Sequence, residues 1–493
     1  MATGTKLHQL VLSLSSNEKR HFRLKCSVQS GKRNYILLFD CLERMETYDR
    51  DRLLEMLNNN LFSKDLHVTE NYLYQRILES LRTYHEKNSV ELQIQNQLFN
   101  AAILEEKGFY ELSYKMLEKA KKSANKLEHK TFLVEIIKRQ IRNVMGRKAK
   151  RLQATIDELC EELVCESDLL QKESIYFGLN KQSFIRYRQW KRARSTDELA
   201  YVEDILQNNL IKKCPDKKSF FAQYLYHNIR NNCYSLLGEH QKACSEMESI
   251  VELWERSPFL QQQQQDLYII QVANLINHKG NLRDYEAVES LLDKLEQIKT
   301  KSFNAKAEQF QNFYFQKLSY LLNQFKFKEC ITLVPAIEKG LETYKSKINP
   351  ARVLAFCYNI TILFFLSEQY DDAIHWLTKI NQTQRTSEPR KDIQQFSRIL
   401  HLAICYKMRS NEVLEDMFRR IYRKASYVES LYAFEQVVLR YFKQLLKVIP
   451  DSREEKNLFA AFKTELLELS EEQKNVLGFQ EFILWIDGMF PTS

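Results

Sequence analysis

The sequence predicts an all-α protein: a right-handed α-solenoid of about eight or nine long helical hairpins, closed at its start by a helical cap. Three observations carry that expectation. First, a small residue returns at a fixed interval with the same kind of neighbours. Gly108, Ser113, Leu117 and Ala120 set the pattern of a turn, a small residue, and two apolar residues four and seven places on. It returns as Gly238, Ala243, Met247 and Ile250, around Ala287, at Cys330, Val334 and Ile337, at Ala373, Leu377 and Ile380, and at Leu414, Phe418 and Ile421. From Ala243 onward the key positions lie 44, 43, 43 and 41 residues apart, and a period of this size marks stacked helical hairpins. Second, the chain holds only 10 Gly and 7 Pro in 493 residues. These residues punctuate turns and break helices, so few of them means long helices and few turns. Third, apolar residues recur at three- and four-residue steps, the spacing of one helix face.

The elements follow in order. Residues 1–88 fall outside the repeat and predict shorter helices. Ser15 and Glu18 have the spacing of a capping box, in which each side chain bonds the other's backbone N–H. Tyr35–Met45 and Tyr72–Tyr84 carry helical apolar periodicity. This segment is expected to cap the first hairpin, because an end repeat lacks a neighbour on one face. Residues 89–470 are expected to form the hairpins, with the small residue where two helices approach most closely and its apolar followers turned into a shared core. The repeats at Ile156, Cys160 and Leu163 and near Ala200 are irregular. The one at Ala287 has a longer turn, Gly280–Asp284, and Pro335 predicts a kink inside its helix. Residues 471–493 are expected to supply a C-terminal capping helix.

At 44% hydrophobic and 28% charged residues, the composition is that of a soluble protein with ample material for a core. Length alone suggests about three domains, but a repeat of this kind makes one continuous stack. The opening MATGTKLHQL lacks a basic start followed by an apolar run, so no secretory signal is expected. The longest apolar segment, Val353–Leu366, is shorter than a membrane span and is interrupted by Asn359 and Thr361. A buried helix and a cytoplasmic protein are therefore expected. The 10 Cys show no metal-ligand spacing. Cys330 takes the small position of a repeat, and Cys357 and Cys405 fall on apolar faces, which predicts reduced, buried thiols.

The spacing of Ala101, Leu104, Gly108, Ser113, Leu117 and Ala120 resembles that of a tetratricopeptide repeat. So does that of Asn231, Tyr234, Gly238, Ala243, Met247 and Ile250, and of Thr361, Phe364, Glu368, Ala373, Leu377 and Ile380. Asn231 and Glu368 stand where that family has small residues. Its period is 34 residues, so a period near 43 implies helices about one turn longer. The whole chain resembles a group of tetratricopeptide-like proteins from Bacteroidota, notably in LSSNEKRHFRL and NYLYQRILESLRTY. The resemblance implies a fold and no activity.

No Gly-rich phosphate loop, zinc-protease helix or nucleophile elbow occurs. No catalytic residue, metal ligand or cofactor is therefore expected. Histidines are scattered; His227 and His240 flank one hairpin turn and His375 sits beside Trp376. Lone histidines on helices are mostly structural, and no Cys/His pair has metal spacing. Residues 115–151 contain 13 Lys/Arg and 3 Asp/Glu, a net +10 against +9 for the whole chain. Lys115, Lys119, Lys122 and Lys126 line one side of a helix opposite Leu117, Ala120 and Ala124, and Arg147, Lys148, Lys150 and Arg151 follow. A second run, Arg186, Arg188, Lys191, Arg192 and Arg194, interleaves cations with Tyr187 and Trp190. An anionic partner such as nucleic acid would use the cations against phosphate and the aromatics against bases. A solvated helix face explains the same stripe, and the acidic run Asp157–Asp168 could balance its charge.

The family's first helices line a concave wall. The inward places implied by the resemblance are Asn228, Asn232 and Ser235 in one hairpin, and Ile270, Asn274 and Asn277 in the next. Asparagine offers a donor and an acceptor that suit a peptide backbone. The expected function is a non-enzymatic scaffold or adaptor that holds a protein or peptide partner in this groove. The alternatives are a nucleic-acid-associated adaptor using 115–151 and 186–194, and a regulatory sensor whose stack responds to a ligand or peptide.

Overall fold

The computed structural model describes residues 4–27, 34–57, 66–86, 89–146, 152–215, 219–383, 390–409, 411–422, 433–450, 452–474 and 477–489. Among these residues all regular structure is helical and there is no strand. The chain divides into two compact units, residues 1–285 and 286–493.

The first unit opens with α1 (Gly4–Ser13), α2 (Ser16–Ser27), α3 (Asn34–Arg44), α4 (Arg50–Met56) and α5 (Leu66–Glu86). The expected capping box starts α2: the Ser15 N–H donates to Glu18 Oε2 at 2.7 Å and the Glu18 N–H to Ser15 Oγ at 3.3 Å. These five helices share a core of their own, built on Leu7, Phe22, Leu38, Phe39, Leu42, Leu73 and Ile77. Then follow α6 (Val90–Glu106), α7 (Tyr110–Lys126), α8 (Lys130–Met145), α9 (Leu152–Trp190), α10 (Thr196–Gln207), α11 (Asn209–Lys212), α12 (Phe220–Leu237), α13 (His240–Glu255), α14 (Pro258–Gln263) and α15 (Gln265–Asn281).

The repeat positions do what their sizes suggest. Ser113, Leu117 and Ala120 are buried, as are Ala243, Met247 and Ile250. Gly108 and Gly238 sit in the turns before them at φ 78° and 75°, a left-handed conformation that a side chain disfavours. Hydrogen bonds and ion pairs then join residues about one repeat apart. Asn143 donates to Glu105 Oε1 at 3.0 Å across 38 positions. Arg139 donates to the Leu98 carbonyl at 3.1 Å and Lys121 to Glu162 Oε2 at 2.5 Å, both across 41 positions.

Between residues 152 and 190 the structure departs from the expected pattern. An irregular repeat at Ile156, Cys160 and Leu163 was expected there, with a weaker one near Ala200; α9 runs unbroken for 39 residues, ~58 Å at the helical rise. Its first half packs on α8 through Ile156, Leu159 and Leu163. Its second half packs on α12 through Tyr176, beside Ile229 and Cys233. The key position Ile156 is half-buried, while Cys160, expected to turn inward four places on, is exposed and Leu159 is buried instead. Likewise Ala200 is exposed, while Val202 and Ile205 carry the buried face of α10.

The second unit contains α16 (Tyr285–Gln297), α17 (Phe303–Asn323), α18 (Phe327–Thr343), α19 (Pro350–Leu366), α20 (Tyr370–Thr383), α21 (Lys391–Lys407), α22 (Asn411–Tyr422), α23 (Ala433–Leu445), α24 (Arg453–Glu468), α25 (Glu471–Lys474) and α26 (Phe479–Met489). Asn349 caps α19 by accepting from the Ala351 N–H, and Pro350 takes the first helical position, where its missing N–H costs nothing. Eleven residues of α19 are buried, so the longest apolar run of the chain is the middle of a core. No described helix is long and apolar enough to cross a membrane. The small positions Cys330 and Ala373 are buried with their followers, whereas at the third repeat Val288 is buried and Ala287 only half so. The side chains of Phe418 and Ile421 lie outside the described residues. Pro335 sits within α18, which continues through it. Links one repeat apart recur: Asn359 to Ser319 Oγ at 3.2 Å across 40 positions and Lys379 to Glu338 at 2.5 Å across 41. Phe482 and Trp485 of α26 close this core against Phe365, Phe442 and Phe459.

Candidate functional site

The lysine stripe lies where the sequence puts it. Lys115, Lys119, Lys122 and Lys126 are exposed along α7, opposite buried Leu117, Ala120 and Ala124. None of the four forms an ion pair among the described residues. Arg147, Lys148, Lys150 and Arg151 lie outside the described residues. Other cations of the basic stretch are answered from α9. Lys121 pairs with Glu162, and Lys130 Nζ reaches Glu166 Oε2 at 3.0 Å. The acidic run therefore partly neutralises the basic one in space.

Lys130 belongs to a buried polar joint where α8, α9 and the start of α12 meet. Glu128 Oε2 accepts from the Phe220 N–H at 2.6 Å, and Glu173 Oε1 accepts from Ser219 Oγ at 3.1 Å. Burial pushes both carboxyls above the usual carboxylate range, against the opposing pull of their hydrogen bonds and of Lys130. The carboxylates hold down the first turn of α12, whose N–H groups have no helical partners.

The second basic run is occupied internally. Arg186 lies over Trp190 at 5.1 Å and over Tyr201 at 5.4 Å, and the two rings meet edge to face at 5.6 Å. Tyr187 packs in the core shared by α9, α10 and α12. The aromatics expected to stack on bases are thus committed to the fold. The Ala193 N–H donates to the Leu236 carbonyl at 2.8 Å, and the Arg192 guanidinium lies 3.1 Å from where a β-carbon on Gly238 would stand. Arg192 therefore serves the C-terminal end of α12, where positive charge is favourable. Arg188, Lys191 and Arg194 are exposed.

The four asparagines divide. On α12, Asn232 is buried and donates to Ser183 Oγ of α9 at 3.1 Å, so it fastens two helices instead of facing a ligand. Asn228 is half-buried and donates to the Tyr224 carbonyl of its own helix at 2.7 Å. On α15, Asn274 is half-buried and Asn277 exposed, and neither side chain hydrogen-bonds among the described residues. The helices α12 and α15 run side by side in register. Gln271 donates to the Tyr224 hydroxyl and Asn231 to His278, both at 3.0 Å and both across 47 positions. These two links bracket Asn228 and Asn274 and set them level on adjacent helices. Ser235 and Ile270 are half-buried.

The second half of α9 carries a surface that its periodicity does not announce. Ile175, Phe177, Phe184 and Ile185 are 43%, 55%, 45% and 52% exposed. Gly178 stands among them, and a β-carbon there would meet nothing within 4 Å. A glycine inside a helix costs about 0.5–1 kcal/mol relative to alanine, and no neighbour among the described residues requires this one. Lys181 sits over the Phe177 ring at 5.1 Å.

Comparison with protein-family models, with curated proteins and with solved structures finds no match to this chain. The geometry alone therefore carries the functional reading. Among the described residues no group of three or more His, Cys, Asp or Glu could hold a metal ion. The face around Gly178 had one sequence signal: apolar residues at 175, 176, 177, 179, 184 and 185, more than a single helix face can bury.

Proposed function

We propose that the chain is a non-enzymatic interaction scaffold whose hairpins stack, within each unit, in the manner of tetratricopeptide repeats. A protein segment would lie along Asn228, Asn274 and Asn277. The observation that carries this reading is the register of α12 and α15, which sets two half-buried asparagines level on neighbouring helices beside the exposed Asn277. Amides presented in a row can pair with an extended backbone and tolerate many sequences. Asn232 takes no part, because it is buried against Ser183 of α9. A photo-crosslinking residue in place of Asn277 is expected to capture a protein chain in cells that make this protein naturally, with loss of capture when Asn228 and Asn274 are both changed to leucine. Nucleic acid as the sole crosslinked species would sink the proposal.

A second reading, a nucleic-acid-associated adaptor, is favoured by the exposed lysines of α7. Contacts of that kind weaken steeply with salt. Reversing the charges of Lys119, Lys122, Arg147, Lys148 and Arg151 would abolish binding to a single-stranded RNA probe; unchanged binding excludes it.

A further inference from the structure

We propose that the second half of α9 docks an acidic amphipathic helix of a partner protein, which crosses α9 over Gly178. This surface is separate from the asparagine wall, and the inference goes beyond that reading.

Three independent observations converge. The first is apolar area. Ile175, Phe177, Phe184 and Ile185 all lie open on one stretch of helix, although the opposite side of the same stretch is buried through Tyr176 and Ser183. On a helix, Gly178 is flanked by Ile175 and Lys181 three places away and by Ser174 and Gln182 four places away, with Ile185 two turns on. The second is the gap. Gly178 leaves open space where any other residue would place a β-carbon, and it weakens a long helix with no compensating contact among the described residues. Small residues of this kind let a second helix approach closely, and Ile175 and Ile185 stand on either side of the gap that a partner's side chain fills. The third is charge. From Ser174 to Arg194 the chain holds six Lys/Arg and no Asp or Glu. Two of these cations, Lys181 and Arg188, fall on the Phe177–Phe184 ridge at helical spacing and form no ion pair among the described residues. A partner that covers the apolar strip therefore meets cations along its edge, and glutamates or aspartates flanking its own apolar stripe complement them.

The same features argue against the other occupants. A second copy of this face would bring its cations against their equals. Nucleic acid would gain little from Ile175 and Ile185, which offer no ring to stack on. Lys181 already covers one face of Phe177, and Trp190 is packed against Tyr201.

The test uses the full-length chain and a fluorescein-labelled synthetic helix of about 20 residues, roughly 30 Å long, with leucines at coiled-coil core positions and glutamate elsewhere. A version with lysine for every glutamate and a uridine oligonucleotide of similar length serve as competitors for the same face. Fluorescence anisotropy is expected to show saturable binding of the glutamate helix alone. Gly178→Gln, which closes the gap with a residue the helix accepts, is expected to weaken it about tenfold or more, as is Lys181→Glu combined with Arg188→Glu. Thermal melting by circular dichroism verifies that Gly178→Gln stays folded, and Arg256→Gln, at the exposed end of α13, is expected to leave the affinity unchanged. Equal binding of the lysine helix, or unchanged affinity in Gly178→Gln, overturns the proposal. So does binding of the oligonucleotide that the same variants abolish, or a dimer in sedimentation that Gly178→Gln dissolves.

Discussion

Asn231 donates from Nδ2 to the Nε2 of His278 across 3.0 Å, and from the same nitrogen to the Ala243 carbonyl across 2.9 Å. One buried amide thus ties α12 to both α13 and α15. Both of its protons are used, and Nε2 of His278 is held as an acceptor, which leaves the ring proton on Nδ1.

Removing that amide leaves two acceptors to find other partners. Asn231→Ala is expected to destabilise the first unit by about 2 kcal/mol, the scale of a buried acceptor losing its donor. The check is a lower urea midpoint with an unchanged slope.

His278 is expected to make stability sensitive to acid. Burial, and then the nearby charge of His240, hold its pKa below the ordinary 6.5. The folded state thus prefers the neutral ring. The contribution is present above pH 6.5 and is lost as pH falls through the depressed folded-state value. The urea midpoint of the native chain should drop between pH 7.5 and pH 5, and His278→Gln should flatten that drop.

Glu173 has the opposite sign. Burial raises its pKa above 4.5, so its stabilising share is present below 4.5 and is lost as pH rises through the elevated folded-state value. Glu173→Gln keeps an acceptor for Ser219 and removes the charge. It should be more stable than the native chain at pH 7.5, with the advantage gone at pH 4.

Two glycines should answer the same substitution in opposite ways. A β-carbon on Gly340 would stand 1.9 Å from the Phe310 ring, so Gly340→Ala is expected to cost about 1–3 kcal/mol by overpacking. Gly178→Ala meets nothing and is expected to gain about 0.5–1 kcal/mol. Thermal melts of the two variants should move to either side of the native chain.

The legible part of the molecule was the part governed by local periodicity. Ser113, Ala243, Cys330 and Ala373 sit at close helix approaches, and a small residue before two spaced apolar ones encodes such an approach within a dozen residues. Asn231 looked like an exception to the pattern, because pairing with residues 12 and 47 positions away leaves no local trace. Asn232, one residue on, looked like a groove residue for the same reason; its partner Ser183 lies 49 positions back. The length of α9 has a local cause that the repeat pattern hid: residues 152–190 hold no proline and only Gly178 as a glycine, so nothing stops the helix. The exposed strip on α9 was obscured because apolar residues on a helix are ordinarily assigned to the interior.

The continuity of α9 has a further consequence. Each residue added to a helix rotates everything beyond it by about 100°. The half that packs on α8 and the half that packs on α12 are keyed to one shaft, like two gears on a spline. A single insertion or deletion between Leu163 and Glu173 would turn Tyr176 and Ser183 out of their contacts while leaving Leu159 in place. Changes close to whole turns restore the facing but slide the far half along the axis by about 1.5 Å per residue, so they too break the match to α12. The length of this helix is therefore fixed from both ends, and its partly exposed midpoint is among the segments least free to vary in length.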